Sequence, residues 1–433
     1  SIHILLLIPN ISIRKHPEIN LIIHKMPEPT LLIDKTVKNI EYLYRSMGIN
    51  IKTEKKTKLD RYRSIFVYIL NFIWLNTDVL GAVLWFLTGV AEHKQFTELT
   101  YVAPCITLSF LSDTKTLYMV FNQTKTDLLI ENIRRLEIEQ KNRSDPETNK
   151  IIMAEHNYLN KVIRALNIIY ITLIISFALS PIMLLLLKYY TTNEVELLLP
   201  FLIVYPFDPF DMRYYPWVYL RQIWSETVVV LGICAVDYMF YIFCMYLRMQ
   251  FHLLSHYVVR VVPPQSGTRL QYNKEEIKLK LVDLIKWHQK LISCTNQLEV
   301  LYTRSTLLNF VSSSILICLT GFNVMAIDDT AFVLTFFCFL LMSLLQIFFL
   351  CFFGDLLMES SMAVSDAVYN SRWYLADTAL AKTMLLILTR AQTPCKLTAS
   401  NFAEVNLKAF MKICSTAWSY FALLQTLYTG PAQ

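Results

Sequence analysis

The sequence predicts an all-α, polytopic membrane protein with seven transmembrane helices, a cytoplasmic amino terminus, an extracellular carboxyl terminus and a helical anchor layer on the cytoplasmic side. Three observations carry that expectation. The 433-residue chain is 55% apolar and 13% aromatic with mean hydropathy +0.40, whereas a soluble domain is about half apolar. Its apolar residues gather into seven runs near the length of about 20 residues that spans a bilayer. The stretches that precede and separate those runs carry 12, 1, 8, 3, 9, 0 and 5 lysines and arginines. Cationic residues resist translocation, so the crowded stretches lie inside. The tally is 34 inside against 4 outside, with Lys115 and Lys412 left within helices.

Residues 1–64 form a cytoplasmic amino-terminal segment. Ile2 to Ile8 are apolar but too few for a span, and they lack a preceding basic region, so they are expected to pack against a cytoplasmic surface. Residues 65–247 hold the first four spans: Ile65 to Ala91, Leu99 to Phe121, Leu166 to Leu187 and Gln222 to Leu247. After the second, Leu128, Leu129, Ile133, Leu136 and Ile138 recur near the helical period, which predicts a helix continuing out of that span. Residues 188–221 read as an extracellular lid. Pro200, Pro206, Pro209 and Pro216 forbid a regular helix there, and the aromatic run from Leu197 to Trp217 suits a cap over the outer helix ends.

Residues 248–304 form a cytoplasmic helical extension. Pro263, Pro264 and Gly267 separate the fourth span from a stripe of Ile277, Leu281, Leu284, Ile285, Leu291, Ile292 and Leu298. Residues 305–358 hold spans five and six, Ser305 to Ile327 and Ala331 to Met358. A cytoplasmic helical segment, 359–408, leads to the last helix in 409–433, with its span from Phe410 to Tyr428.

Several function classes fall away. The net charge of +6 reports leaflet orientation and gives no reason to invoke nucleic acid. None of the nine cysteines falls in a predicted outer loop, so no disulfides are expected. The sequons at Asn10, Asn122 and Asn142 lie on the inner side, where glycosylation is not expected. No histidine pair with a glutamate, Cys-x-x-Cys or Gly-rich phosphate loop occurs, so no enzyme, metal or cofactor is implied. Asp60-Arg61-Tyr62 imitates a G-protein-coupled receptor motif, but it precedes the first span and the charge alternation demands the reverse orientation. A helical transporter would need internal repeats and broken half-helices, and neither is visible.

Charges inside spans cost roughly 2.5 to 3.5 kcal/mol on insertion scales. Asp113 and Lys115 fall on nearly opposite helix faces and cannot pair with each other. Together with Asp78 and Asp237 they are assigned to helix packing or a hydrated cleft rather than to ligand contact. Glu404, Lys408 and Lys412 lie four apart, so they are expected to share one helix face at the cytoplasmic mouth.

The last helix carries an ordered stripe. At 100° per residue, Thr416, Ser419, Leu423, Thr426 and Leu427 fall within about 60° of Lys412. The stripe is polar inside and apolar outside, the order expected of a wet vestibule leading to a hydrophobic constriction that stops ions by dewetting. Thr416 and Ser419 would equally well satisfy carbonyls one turn back. Gln425 projects to the opposite face.

Some of these residues also carry a resemblance. Gly354-Asp355, Tyr369, Trp373-Tyr374, Pro394-Cys395-Lys396-Leu397-Thr398-Ala399, Ser419-Tyr420-Phe421 and Leu423-Leu424 resemble the insect odorant receptor family, as do Tyr205-Pro206-Phe207-Asp208, Tyr219 and Gln222 in the lid. The resemblance implies an inverted seven-helix protein forming an odorant-gated, non-selective cation channel in the plasma membrane of sensory-neuron dendrites. Its partners would be membrane lipid, a small hydrophobic volatile and a shared co-receptor in a hetero-oligomer, usually a tetramer. This chain lacks the co-receptor's long insertion in the second inner loop, which marks it as an odorant-specific tuning subunit. Leu423 and Leu427 match the family's pore-gate positions. The resemblance places ligand in the outer half of the bundle among helices two, three, four and six. That selects Tyr101 and Cys105; Phe177, Ser180 and Met183; Trp224 and Val228; and Thr335, Phe336 and Phe339 as ligand-binding residues. One polar contact is expected from Ser180, Thr335 or the Trp224 indole. Burying about 300 Å² at roughly 25 cal/mol per Å² gives about 7 kcal/mol against association costs of at least about 4, so affinity should be modest. A gustatory-type channel of the same topology is the alternative reading.

Overall fold

The structure is a computed structural model that describes residues 31–51, 58–94, 96–141, 143, 145–193, 197–263, 274–326 and 330–429. Ile2 to Ile8 lie outside the described residues. Ten α-helices occur among those described: α1 Leu32–Met47, α2 Lys58–Ala91, α3 Phe96–Phe121, α4 Gln123–Lys141, α5 Pro146–Thr192, α6 Tyr215–Arg260, α7 Lys274–Ala326, α8 Thr330–Tyr369, α9 Thr378–Ala391 and α10 Leu407–Thr429. The seven predicted spans lie in α2, α3, α5, α6, α7, α8 and α10. By length and apolarity alone, α2, α5, α6, α7 and α8 suffice to cross a membrane. The predicted second and seventh spans fall in α3, which carries Asp113 and Lys115, and in α10, which carries Lys412. The protein is a helical, multi-pass membrane protein.

Helix α6 is the axis of the bundle. It packs against α1, α2, α3, α5, α7 and α8, and 94% of its most apolar window is buried, against 17% for α5. The outward stripe of α5, Ile168, Ile171, Ile175, Leu179 and Ile182, is exposed at three- and four-residue spacing. That spacing makes one apolar face, which in a bilayer meets lipid. Lipid tails give helices no hydrophobic reason to associate, so close approach and polar contacts must hold the bundle together. Gly232 of α6 supplies the approach: a Cβ there would collide with Ser112 and Thr116 of α3. Without it, Ser112 Oγ reaches the Val229 carbonyl at 3.0 Å.

The buried charges supply the polar contacts. Lys115 Nζ meets Asp237 Oδ1 at 2.6 Å between α3 and α6, and the Gln346 amide of α8 donates both to Asp237 and to Asn309 of α7, each at 3.1 Å. Asp113 accepts from Asn76 Nδ2 at 2.9 Å. For Asp113, Lys115 and Asp237 the packing assignment therefore describes what is found.

Beyond the predicted spans, the long helices pack with α1, α4 and α9 into a helical layer. The predicted continuation of the second span is present as α4, but Asn122 interrupts it, with Lys125 N closing a tight turn onto the Asn122 carbonyl. Leu31 has no side-chain acceptor for the first turn of α1. Glu137 of α4 fills that role, accepting from Leu32 N and, at 3.1 Å, from Ile33 N. Burial pushes the Glu137 carboxyl up, against these donors that pull it down. Asp145 closes a capping box with Thr148 at the start of α5. Lys290 bonds Glu139, and Gln250 Nε2 donates to Gln140; of the stripe predicted on α4, Leu129, Ile133 and Leu136 are buried, whereas Leu128 and Ile138 are exposed because they fall on the flanks of that face. All nine cysteines are unpaired.

Burial also holds the His288 imidazole of α7 down at about 4, with Arg390 adding to the effect. An unfolded histidine titrates near 6.5, so the unfolded chain binds more protons between those values. Stability should be full above about pH 6.5 and fall as pH drops toward 4. Melting of the detergent-solubilised protein at pH 7 and pH 5 should show that loss, and His288→Gln should flatten it.

The segment 359–408 departs from the all-helical expectation. After a 3₁₀ turn at Trp373–Leu375 and α9, the chain forms a short antiparallel pair, β1 Thr398–Ala399 with β2 Ala403–Glu404. Ser400 and Asn401 take positive φ to turn the corner, and Thr398 Oγ1 donates to Glu299 at 2.7 Å, fixing the hairpin to α7. Glu404 consequently lies outside the last helix, contrary to the shared face expected with Lys408 and Lys412, and pairs with Lys396 at 2.8 Å. Asn406 ends the hairpin and caps α10, accepting from Ala409 N at 2.9 Å. Gly354 of α8 lies against this junction, where a Cβ would strike the Val405 carbonyl.

Candidate ligand-binding cavity and last helix

A cavity of about 50 Å³ opens in the outer half of the bundle, several times the room one water needs. Leu75, Asp78, Val79 and Ala82 of α2 form one wall, and Tyr101, Val102, Cys105, Ile106, Leu108 and Ser109 of α3 another. Ser225, Glu226 and Val229 of α6 and Phe339 of α8 close the sides. Phe201, Leu202 and Ile203 of the loop before α6 form the lid. Gln222 holds that loop: its Oε1 accepts from Phe201 N at 2.9 Å, and its Nε2 donates to the Phe201 carbonyl and to Tyr205 Oη. The loop is also anchored by Val204 N on the Gly81 carbonyl and by Tyr215 Oη on the Leu198 carbonyl at 2.8 Å. The loop is shorter than the 188–221 expected of a lid, because α5 continues to Thr192 and α6 begins at Tyr215 with Pro216 tolerated in its first turn, and its Phe201 to Ile203 supply part of the cavity wall.

Three of the ten predicted ligand residues, Tyr101, Cys105 and Phe339, line the cavity. Two more back it. Phe336 stands edge-on to Tyr101 at 5.1 Å, and Phe177 packs on Phe201 at 5.0 Å and Phe339 at 5.3 Å. Thr335 is buried. Val228 lines a separate, smaller cavity with Tyr68, Asn71 and Asp113. Ser180 donates its hydroxyl to the Phe177 carbonyl at 3.1 Å. Met183 is 67% and Trp224 46% exposed, and neither is part of the cavity lining.

Besides the Tyr101 hydroxyl and the Cys105 thiol, the polar groups of the lining come from residues outside the predicted set, Asp78, Ser109, Ser225 and Glu226. Asp78 Oδ1 pairs with Arg221 at 2.7 Å and its Oδ2 accepts from Ser225. Arg221 lies over the Trp74 and Tyr205 rings and reaches Thr77 Oγ1 at 2.7 Å. Asp78, assigned from sequence to packing, lies in a packed ion pair and at the cavity wall at once. Glu226 was findable as an acidic residue inside a predicted span, a feature that marks function in membranes. Among the described residues, no group of three or more His, Cys, Asp or Glu is arranged to hold a metal ion.

Helix α10 packs on α7 and α8. Ala417 and Phe421 are buried with Cys318 and Phe322 of α7, and Phe410 meets Phe348 of α8 at 5.5 Å. The predicted stripe lies on the other side: Lys412, Ser419, Leu423 and Thr426 are exposed and Thr416 is half-buried. The Leu427 side chain lies outside the described residues. Ser419 and Thr426 donate to the carbonyls of Ser415 and Leu423, so carbonyl satisfaction and exposure hold together. Gln425 is exposed on a different flank.

A protein-family profile described as 7tm Odorant receptor matches residues 95–418. Among curated proteins, the chain is similar to putative odorant receptor 92a of Drosophila melanogaster, 24% identical over 94% of this chain and 98% of that one. It is also similar to odorant receptor 67c of the same species, 26% identical over 89% and 94%. Among solved structures, the insect olfactory receptor of Machilis hrabei in complex with eugenol superposes with a TM-score of 0.76 at 18% identity, covering 91% of this chain and 98% of that one.

Proposed function

This chain belongs to the 7tm odorant receptor family, and on that premise we propose that it is the odorant-specific subunit of a ligand-gated, non-selective cation channel. It would work in the plasma membrane of sensory-neuron dendrites, with a shared co-receptor completing a tetramer. The cavity is the odorant site in this reading, and α10 lines the pore, with Leu423 and Leu427 as its gate.

One observation carries the proposal: the cavity and the last helix are joined by packed contacts. Tyr101 lines the cavity, and its neighbour Thr100 bonds Asn323 of α7 twice, Oγ1 to Oδ1 at 2.7 Å and Nδ2 to the Thr100 carbonyl at 2.9 Å. The residue before Asn323, Phe322, packs on Phe421 of α10, next but one to Leu423. A ligand that favours a different spacing of α3 and α7 would thereby bias the position of α10, and it shifts the equilibrium by its difference in affinity for the two arrangements. One α10 cannot enclose a channel, so its exposed stripe awaits the other subunits.

Whole-cell current from the chain alone and with the co-receptor, under panels of volatiles and of soluble tastants, tests this. Current with volatiles only when both subunits are present is the expected result. Tastant-gated current from the chain alone would favour the gustatory-type channel.

A further inference from the structure

Among the described residues, no hydrogen bond or ion pair reaches the buried Oε2 of Glu226. The residue is 7% exposed and lines the cavity. Donors near it in sequence bond other groups. Ser225 donates to Asp78, Tyr219 donates to the Ala178 carbonyl, and the Arg221 guanidinium is held by Asp78 and Thr77. A buried carboxyl oxygen left unbonded is costly, and a native fold that keeps one calls for an explanation such as a bound group. Most of the remaining lining is apolar or aromatic, with Leu75, Val79, Phe201 and Phe339 among it, while Tyr101, Cys105 and Ser109 add a phenol, a thiol and a hydroxyl.

Resting on the reading of this cavity as the odorant site, we propose that Glu226 selects ligands bearing one N–H or O–H donor on a compact apolar body. The carboxyl presents an acceptor oxygen in either protonation state, and the aromatic lining takes the body. An ether of the same shape has no donor to offer the acceptor oxygen and could only accept from a protonated carboxyl, so it forfeits the contact that an N–H or O–H makes. Sites built to bond a ligand O–H or N–H discriminate strongly against analogues that lack it.

The test uses phenethyl alcohol, phenethylamine and phenethyl methyl ether on the purified full chain, read by thermal shift, and on cells co-expressing the co-receptor, read by current. For the wild type, the alcohol and the amine should each half-saturate the shift at a concentration at least about tenfold below the ether. Glu226→Leu should erase the difference while leaving the ether unchanged. Glu226→Gln, which keeps a carbonyl acceptor in the same volume, should retain the alcohol preference and lose most of the amine preference. Equal shifts for the alcohol and the ether in the wild type, no shift for any of them, or a preference that survives in Glu226→Leu would overturn the assignment. A donor preference in the thermal shift without current in cells would support Glu226 and count against the channel reading instead.

Discussion

Replacing Lys115 with methionine should cost the folded protein on the order of 3 to 5 kcal/mol, because it strands the Asp237 carboxylate in the centre of the bundle. The two side chains are 2% and 5% exposed and meet at 2.6 Å. Gln346 is already shared between Asp237 and Asn309 and cannot replace a full charge. Asp237→Leu should be comparably damaging, since it leaves the ammonium unpaired. The double variant Lys115→Met with Asp237→Leu should recover much of the loss, because a buried pair exchanged for apolar residues of similar volume is often close to neutral. Melting of detergent-solubilised protein and surface expression would measure the series. Additive damage in the double variant would show that the pair does not act as a unit.

Leu423→Ser should give current without ligand in cells that co-express the co-receptor. Leu423 is 55% exposed on the single chain, so its substitution disturbs little of the subunit's own packing. Its place at the apolar end of the stripe makes it the barrier to wetting in the proposed pore. A hydroxyl there lowers the cost of filling the constriction with water, which is how a hydrophobic gate holds ions back. Adding Leu427→Ser should deepen the leak. Phe421→Ala should behave differently, lowering surface expression, since Phe421 is part of the buried contact with α7.

Much of this architecture was legible in the sequence because a bilayer imposes strong rules. Spans need length and apolarity, so the long apolar helices of the bundle are legible in the sequence alone. The stripe on α7 and the centre of that on α4, Leu129, Ile133 and Leu136, are legible for a similar reason, since amphipathic period marks a buried face, whereas Leu128 and Ile138 lie off that face and are exposed. What escaped depends on contacts between distant segments. That Lys115 meets Asp237 is written in no local pattern, nor is the capping of α1 by Glu137. The hairpin at 398–404 hides in a segment too short for periodicity to register, and with it the removal of Glu404 from the last helix. At the cavity, the aromatic residues Tyr101 and Phe339 could be chosen by depth and type. Met183 and Trp224 fit the same description and differ only in the face they present. The α2 wall and the lid's Phe201 to Ile203 went unselected because neither segment belonged to the chosen helices. Glu226 carried a readable signal, being a charge in a span, and the structure gives it a place.

Cysteine substitution along the last helix tests the central claim, that an occupied cavity moves a gate on α10, most directly. Thr416→Cys, Ser419→Cys and Leu423→Cys would each be expressed with the co-receptor and exposed to a charged thiol reagent from outside, with and without an activating volatile. Leu423→Cys should react slowly at rest, and Thr416→Cys and Ser419→Cys should react only while the volatile is present, above the background of native Cys414. Reaction at Thr416→Cys and Ser419→Cys at the same rate with and without the volatile would contradict the claim.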